Sequence, residues 1–158
     1  MAQRGWSSTP SPLLLRYTNA VPAVTRWFIK TSFVCLGLAL IAGLLLALQA
    51  ELGLGVLSAL FPVYIHLLVF GWLTQLVFGV VYWMFPKFSI EKPRRSSVLG
   101  WWTYGLLNSG LLLRAIAEPI QSVQPSSAAG WTLVVSALLQ FLAGLAFVIN
   151  SWARVKER

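Results

Sequence analysis

One cysteine and one histidine stand among 158 residues, and only four side chains are acidic. The lone thiol excludes an internal disulfide and any multi-thiolate metal site. The chain has no glycine-rich phosphate loop, no HExxH, no CxxC and no plausibly placed Ser/His/Asp set, so no familiar catalytic motif is available. Charge is scarce as well. Charged residues make up 10% of the sequence, against about 25% in an ordinary soluble domain. Twelve lysines and arginines give a net charge of +8. They lie outside the apolar runs instead of forming a stripe on a folded domain, which argues against a nucleic-acid footprint. What remains is apolar: 58% hydrophobic residues and a mean hydropathy of +0.75. The length allows one compact unit.

The apolar residues fall into four runs, 27–49, 61–85, 97–117 and 130–152. Each reaches the roughly 20 residues that a helix needs to cross the hydrocarbon core. None alternates as a barrel strand would. Backbone groups in lipid must bond within their own segment, so these runs predict helices. The short connections favour antiparallel neighbours. The expected fold class is all-α, an integral membrane up-down four-helix unit. It is preceded by a polar basic leader (1–26) and followed by a basic tail (153–158).

Orientation follows from the cations. Arg4, Arg16, Arg26 and Lys30 precede or open the first span, and Lys87, Lys92, Arg94 and Arg95 occupy the middle loop. Arg154, Lys156 and Arg158 form the tail, which leaves Arg114 alone near the other side. The positive-inside rule then places both termini and the middle loop in the cytoplasm. Trp27, Trp83, Trp101, Trp102 and Trp152 cluster at the same ends, as interfacial anchors do. The leader is too long, and the first run too complete, for a cleaved secretory signal. Its expected role is contact with a partner protein.

The spans carry few polar residues. In the first, Cys35, Ala39, Gly43 and Ala47 recur every four residues, a stripe of small side chains that lets another helix approach. Cys35 then reads as a packing residue. Ser136, Gln140 and Gly144 in the fourth span, and Gly105 with Ser109 in the third, repeat the pattern. Arg114 and Glu118 stand four apart and share a helix face as an ion pair.

The second span is the most informative. At 100° per residue, an α-helix puts Tyr64, Gly71, Gln75, Gly79 and Tyr82 on one face and His66 on the opposite one. Gly71, Gln75 and Gly79 predict a helix-packing face. A polar residue facing lipid is costly, so this reading expects neighbours on both sides of the helix, one of them another subunit or a cofactor. His66 is the candidate cofactor residue, as a haem ligand or as a proton acceptor for quinol, with Tyr64 supplying part of an aromatic wall. Met84, 18 residues along, lies about 27 Å from His66 on a straight helix, so a second haem ligand has to come from another chain.

The block His66, Gly71-Trp72, Phe78-Gly79, Tyr82 and Phe85-Pro86 resembles the second transmembrane helix of haem-copper (cytochrome c) oxidase subunit I. Short stand-alone relatives of that subunit look similar. The resemblance covers about 27–86 and is weaker through LLRAIAEP in the third span. It implies that His66 occupies the place of a low-spin haem ligand, leaving haem b or quinone as the implied cofactors. The further histidines that the family uses for copper and for the active-site haem are missing, so oxygen reduction by this chain alone is excluded. No catalytic residue and no metal site is expected. The reading that results is a non-catalytic integral subunit of a bacterial respiratory electron-transfer complex. The host is a quinol-oxidising assembly such as alternative complex III, or an oxidase supercomplex. Its partners are other membrane subunits and lipid, not nucleic acid.

Overall fold

Pro22 and Gly53 bracket the first helix, and each marks its boundary by backbone geometry. Pro22 is extended, whereas Gly53 takes the left-handed conformation (φ 66°) and returns its N–H to the Gln49 carbonyl. The structure is a computed structural model that describes residues 21–86, 88 and 95–155. Among the described residues there are four helices: α1 (Ala23–Leu52), α2 (Gly55–Met84), α3 (Ser97–Val123) and α4 (Ser127–Trp152). No strand occurs among the described residues. The readings of the leader through Ala20, of Lys87, Lys92 and Arg94, and of the last three residues lie outside the described residues.

Three of these helices, α1, α2 and α4, are long and apolar enough to cross a bilayer, as in a multi-pass membrane protein. The third, α3, has 27 residues but is less apolar, because Asn108, Arg114, Glu118 and Gln121 interrupt it. Two boundaries differ from the sequence reading. The second helix starts at Gly55 with a 3₁₀ turn, and the chain runs on through Pro62, a position in the first α-turn where proline's missing N–H costs nothing. The third helix continues past Pro119 to Val123. There the proline removes one hydrogen bond near the helix end, and Ser122 Oγ donates to the Glu118 carbonyl at 2.8 Å.

Contacts run in opposite directions along neighbouring helices. From α1 to α2, Phe28 meets Gly79, Cys35 meets Gly71 and Tyr64 meets Gly43. From α2 to α3, Tyr82 meets Gly100, Gln75 meets Asn108 and His66 meets Glu118. From α3 to α4, Gly110 meets Ser136, and Ser96 meets Asn150. Each pair is therefore antiparallel. The connections between α1 and α2 and between α3 and α4 share one end of the bundle, the connection end. Arg95 and Arg154 mark the opposite, basic end.

The buried positions explain the packing. In α1 they are Val24 and then Thr25, Phe28, Ser32, Cys35, Ala39 and Ala42, the last six alternating steps of three and four. That is the 3.5-residue period of a coiled-coil seam. Helix α3 keeps it through Gly100, Thr103, Leu107 and Gly110, and α4 buries Ala129, Ser136, Ala143 and Asn150. Helix α2 does not. Its buried residues are Ala59, Val63, Leu67, Gly71, Gln75 and Gly79, a run of four-residue steps, followed by Tyr82 at a step of three. On an α-helix each such step overshoots by roughly 40°, so the stripe would wind off the core within three steps. It stays inward because Leu67–Thr74 is π-helical, with wider i→i+5 turns that take up the excess.

The same period corrects the sequence reading of small-residue stripes. Ala39 is fully buried and Gly43 faces the Tyr64 ring, but Ala47 lies exposed. Four-residue spacing on the straight α-helical α1 drifts away from α2, and Ala42 takes the inward place. Gly105 and Ser109 are exposed too, and a Cβ at Gly144 would meet nothing within 4 Å.

Candidate functional site

The π segment begins immediately after His66 and ends immediately before Gln75. A pure α-helix would set these residues about 180° apart. Here Gln75 is fully buried in the core stripe, and His66 lies on the adjacent flank toward α3 and α4. Both point into one bundle. The expectation that Gln75 and His66 cannot both point into one bundle is not met, and the cause is the wider turn between the two residues.

On α3, Arg114 and Glu118 stand one turn apart at the connection end, as their spacing predicts, with Arg114 NH1 3.2 Å from Glu118 Oε1. His66 joins them. Its Nε2 lies 3.0 Å from Arg114 NH1, and its Nδ1 lies 3.0 Å from Glu118 Oε1 and 2.8 Å from the Pro62 carbonyl. Arg114 Nε reaches across to Ser136 Oγ of α4 at 3.3 Å. Ser136 in turn donates to the Gly110 carbonyl at 2.7 Å and accepts from Gln140 at 3.4 Å. The ring of His66 stacks on Phe70, 5.9 Å between centroids. Three helices thus meet at one guanidinium.

The donors fix the protonation pattern. A guanidinium nitrogen only donates, so His66 Nε2 must offer its lone pair. The ring proton then sits on Nδ1, where it faces a carboxylate oxygen and a carbonyl. His66 thus lies between one cation and one anion, with Nε2 toward the guanidinium and Nδ1 toward the carboxylate. Glu118 is nine-tenths buried, with Oε1 engaged twice and Oε2 without a partner.

This arrangement does not fit haem ligation. An axial imidazole must present a free ring lone pair to the iron, and neither nitrogen of His66 is free of a neighbour. Tyr64 does not complete a quinone wall with His66 either. It packs on Gly43 of α1, from the flank opposite the one that holds Arg114. Among the described residues no cluster of three metal-ligating side chains occurs.

A second polar layer lies deeper. Gln75 and Asn108 exchange amide hydrogen bonds at 3.2 and 3.3 Å, and Gln75 Nε2 lies 3.8 Å from Cys35 Sγ. Tyr104 and Thr31 bond at 2.8 Å, tying α3 to α1. Gly71 and Gly79 make this contact possible. A Cβ at Gly71 would lie 2.8 Å from Cys35 Cβ, and one at Gly79 would lie 2.9 Å from Phe28 Cβ. The predicted packing residues Gly71, Gln75, Gly79, Ala39 and Gly43 therefore act together, with Cys35 as a small packing residue among them.

A third layer escaped the sequence reading. Arg154, there only a topological cation, is 1% exposed. Its guanidinium donates to the carbonyls of Tyr82, Phe85 and Pro86 at 3.1, 2.8 and 3.1 Å. These belong to the last turn of α2 and the residues after it, where carbonyls lack intrahelical donors. Asn150 pairs with the Ser96 backbone beside it, and Arg95 donates to the Ile149 carbonyl. The available signal was a cation two residues past the end of an apolar run.

Compared with known proteins, the chain matches no family model, no curated protein and no solved structure.

Proposed function

We propose that this chain is a four-span integral protein of a bacterial cytoplasmic membrane, with both termini cytoplasmic. It serves as a non-catalytic subunit of a respiratory electron-transfer complex, either a quinol-oxidising complex or an oxidase supercomplex. One observation carries the non-catalytic part. Polar side chains inside the spans bond to one another across helices: His66 to Arg114 and Glu118, Gln75 to Asn108, Thr31 to Tyr104. Such a network stabilises the bundle and, among the described residues, occupies both nitrogens of the imidazole.

The fourth span is α3, whose charged pair is neutralised within the bundle and so does not forbid insertion. The orientation is supported by Arg26, Lys30, Arg95 and Arg154, which share the basic end. The respiratory setting is supported by the resemblance of the second span alone. Apolar side chains such as Val34, Leu40, Leu44, Val134, Leu138 and Phe141 are exposed along α1 and α4, a surface suited to lipid or to other membrane subunits.

The test is purification of the full chain from native membranes in mild detergent. Stoichiometric co-purification of membrane electron-transfer subunits is the expected result, with no haem absorption assignable to this chain. A stable free chain without companions would overturn the subunit reading. A Soret band that disappears in His66→Ala would overturn the cofactor-free one.

A further inference from the structure

The two arginines that bridge the helix pairs do so by different chemistry. Arg154 holds the basic end through backbone carbonyls, acceptors that do not titrate. Arg114 holds the connection end partly through the lone pair of His66 Nε2, an acceptor that vanishes when the imidazole takes a second proton. Beside it lies a second acceptor with nothing bound, the buried Oε2 of Glu118. Arg114 NH1 already touches Oε1 of the same carboxylate at 3.2 Å.

We propose that His66, Arg114 and Glu118 form a proton-driven switch, in which protonation of His66 transfers the Arg114 guanidinium from the imidazole to Glu118 Oε2. The incoming proton bonds to Nε2 and consumes its lone pair. The guanidinium, now facing a second cation at contact distance, keeps Oε1 and gains Oε2, the two-point geometry that arginine and carboxylate favour. His66 keeps its Nδ1–H on the carboxylate, so Glu118 lies between two cations. No heavy-atom bond changes, and the proton returns to water on reversal. The guanidinium cannot turn without straining its Nε bond to Ser136, so α4 senses the change.

Access and surroundings agree with this. The His66 side chain is 23% exposed. An open groove of about 520 Å³ at the connection end is lined by Ser58, Phe61, Pro62 and Ser122, among others. Pro62 and Ser122 each sit one turn from the pair and bond directly to it: the Pro62 carbonyl to His66, and Ser122 Oγ to the Glu118 carbonyl. The groups facing His66 from the packed elements are few. Helix α3 brings Arg114 and Glu118. Helix α4 brings the non-titrating Ser136 to Arg114. The nearest titratable group described on the core face of α1 is Cys35, deeper in the bundle against Gly71. The π segment that starts at Leu67 is the least regular part of α2 and adjoins the switch.

The single histidine makes the test clean, because every imidazole signal belongs to His66. With isotope-labelled histidine and arginine in the full chain, NMR in detergent micelles at neutral pH should show one protonated and one lone-pair ring nitrogen, the proton being on Nδ1. Acidification should add the second ring proton and, at the same midpoint, shift the Arg114 guanidinium resonance. In Glu118→Gln the side-chain oxygen count falls to one, and the Arg114 shift should shrink or disappear. In His66→Gln the Arg114 resonance should stay fixed over the same range. An Arg114 signal that stays still while His66 gains its proton overturns the proposal. So does an Arg114 signal that moves in His66→Gln, which would make Glu118 the titrating group. A His66 ring that never takes a second proton while the helices persist, or one starting as the Nε2–H tautomer, overturns it as well.

Discussion

Arg154 lies on Tyr82 in two ways: its NH1 donates to the Tyr82 carbonyl at 3.1 Å, and its guanidinium carbon sits 5.7 Å from the Tyr82 ring centre. The tail of α4 is thereby fastened to the end of α2. Hydrogen bonds from a charged donor are each worth about 1.5–3 kcal/mol, and the stacking adds about 0.5–2 kcal/mol. These terms overlap, because one side chain makes them all.

Arg154→Ala should therefore lower stability by about 3 kcal/mol, since three carbonyls at a helix end lose their donor. Arg154→Lys should recover less than half of that, because an ammonium lacks the planar fork that reaches several acceptors at once. Reversible unfolding in mixed micelles measures both. Equal stability of Arg154→Lys and wild type would show that charge alone suffices at this site.

Glycine substitutions separate close packing from composition. Gly71→Ala and Gly79→Ala place a methyl group at 2.8 and 2.9 Å from side-chain carbons of α1. Overpacking of this kind costs about 1–3 kcal/mol. Gly37→Ala and Gly105→Ala meet nothing within 4 Å, and should be neutral or stabilising by up to about 1 kcal/mol, as helix propensity dictates. The four variants, unfolded side by side, test whether α1 and α2 touch as described.

These contrasts show what could be read in the sequence. The four helices were legible, because a run of apolar residues has one stable backbone solution in lipid. Gly71, Gln75 and Gly79 were legible as a packing face, since they follow one another at four-residue spacing, too short a stretch for an error in the assumed turn to carry them off one side. The place of His66 was not, because a helical wheel assumes 100° per residue and the π segment Leu67–Thr74 breaks that assumption. Arg114 and Glu118 were found as a pair by spacing, but their third partner lies 48 residues from Arg114 along the chain. Arg154 was hidden by a rule that counts cations for topology and ignores where their side chains go.

Removing one member of the charged cluster should cost more than removing two. Arg114→Leu leaves a nine-tenths buried carboxylate with only His66 beside it. Breaking a buried pair this way costs about 3–5 kcal/mol. The double variant Arg114→Leu/Glu118→Leu removes both charges and should lie closer to wild type than either single variant. A double-mutant cycle in micelles gives the coupling directly. Additive costs would mean that the two charges are each solvated on their own.

The amide pair deeper in the bundle offers the sharpest test of how the helices are specified. Gln75 is fully buried and reciprocates with Asn108, so each amide satisfies the other. Gln75→Leu strands the Asn108 amide against apolar neighbours, apart from its bond to the Tyr104 carbonyl. A buried polar group left unpaired costs about 1–3 kcal/mol. Asn108→Leu strands Gln75 more completely, because Gln75 keeps only the weak contact to Cys35 Sγ at 3.8 Å, so it should be the costlier single change. Replacing both by leucine removes the unmet partners, and the loss should fall below that of either single variant. The pair also fixes the register of α2 against α3, which two leucines do not. The doubly substituted protein should thus keep its stability while the nuclear Overhauser contact between the Tyr82 ring and Gly100, adjacent across these helices, weakens. A contact that stays as strong as in the wild type would assign register to the glycine contacts instead.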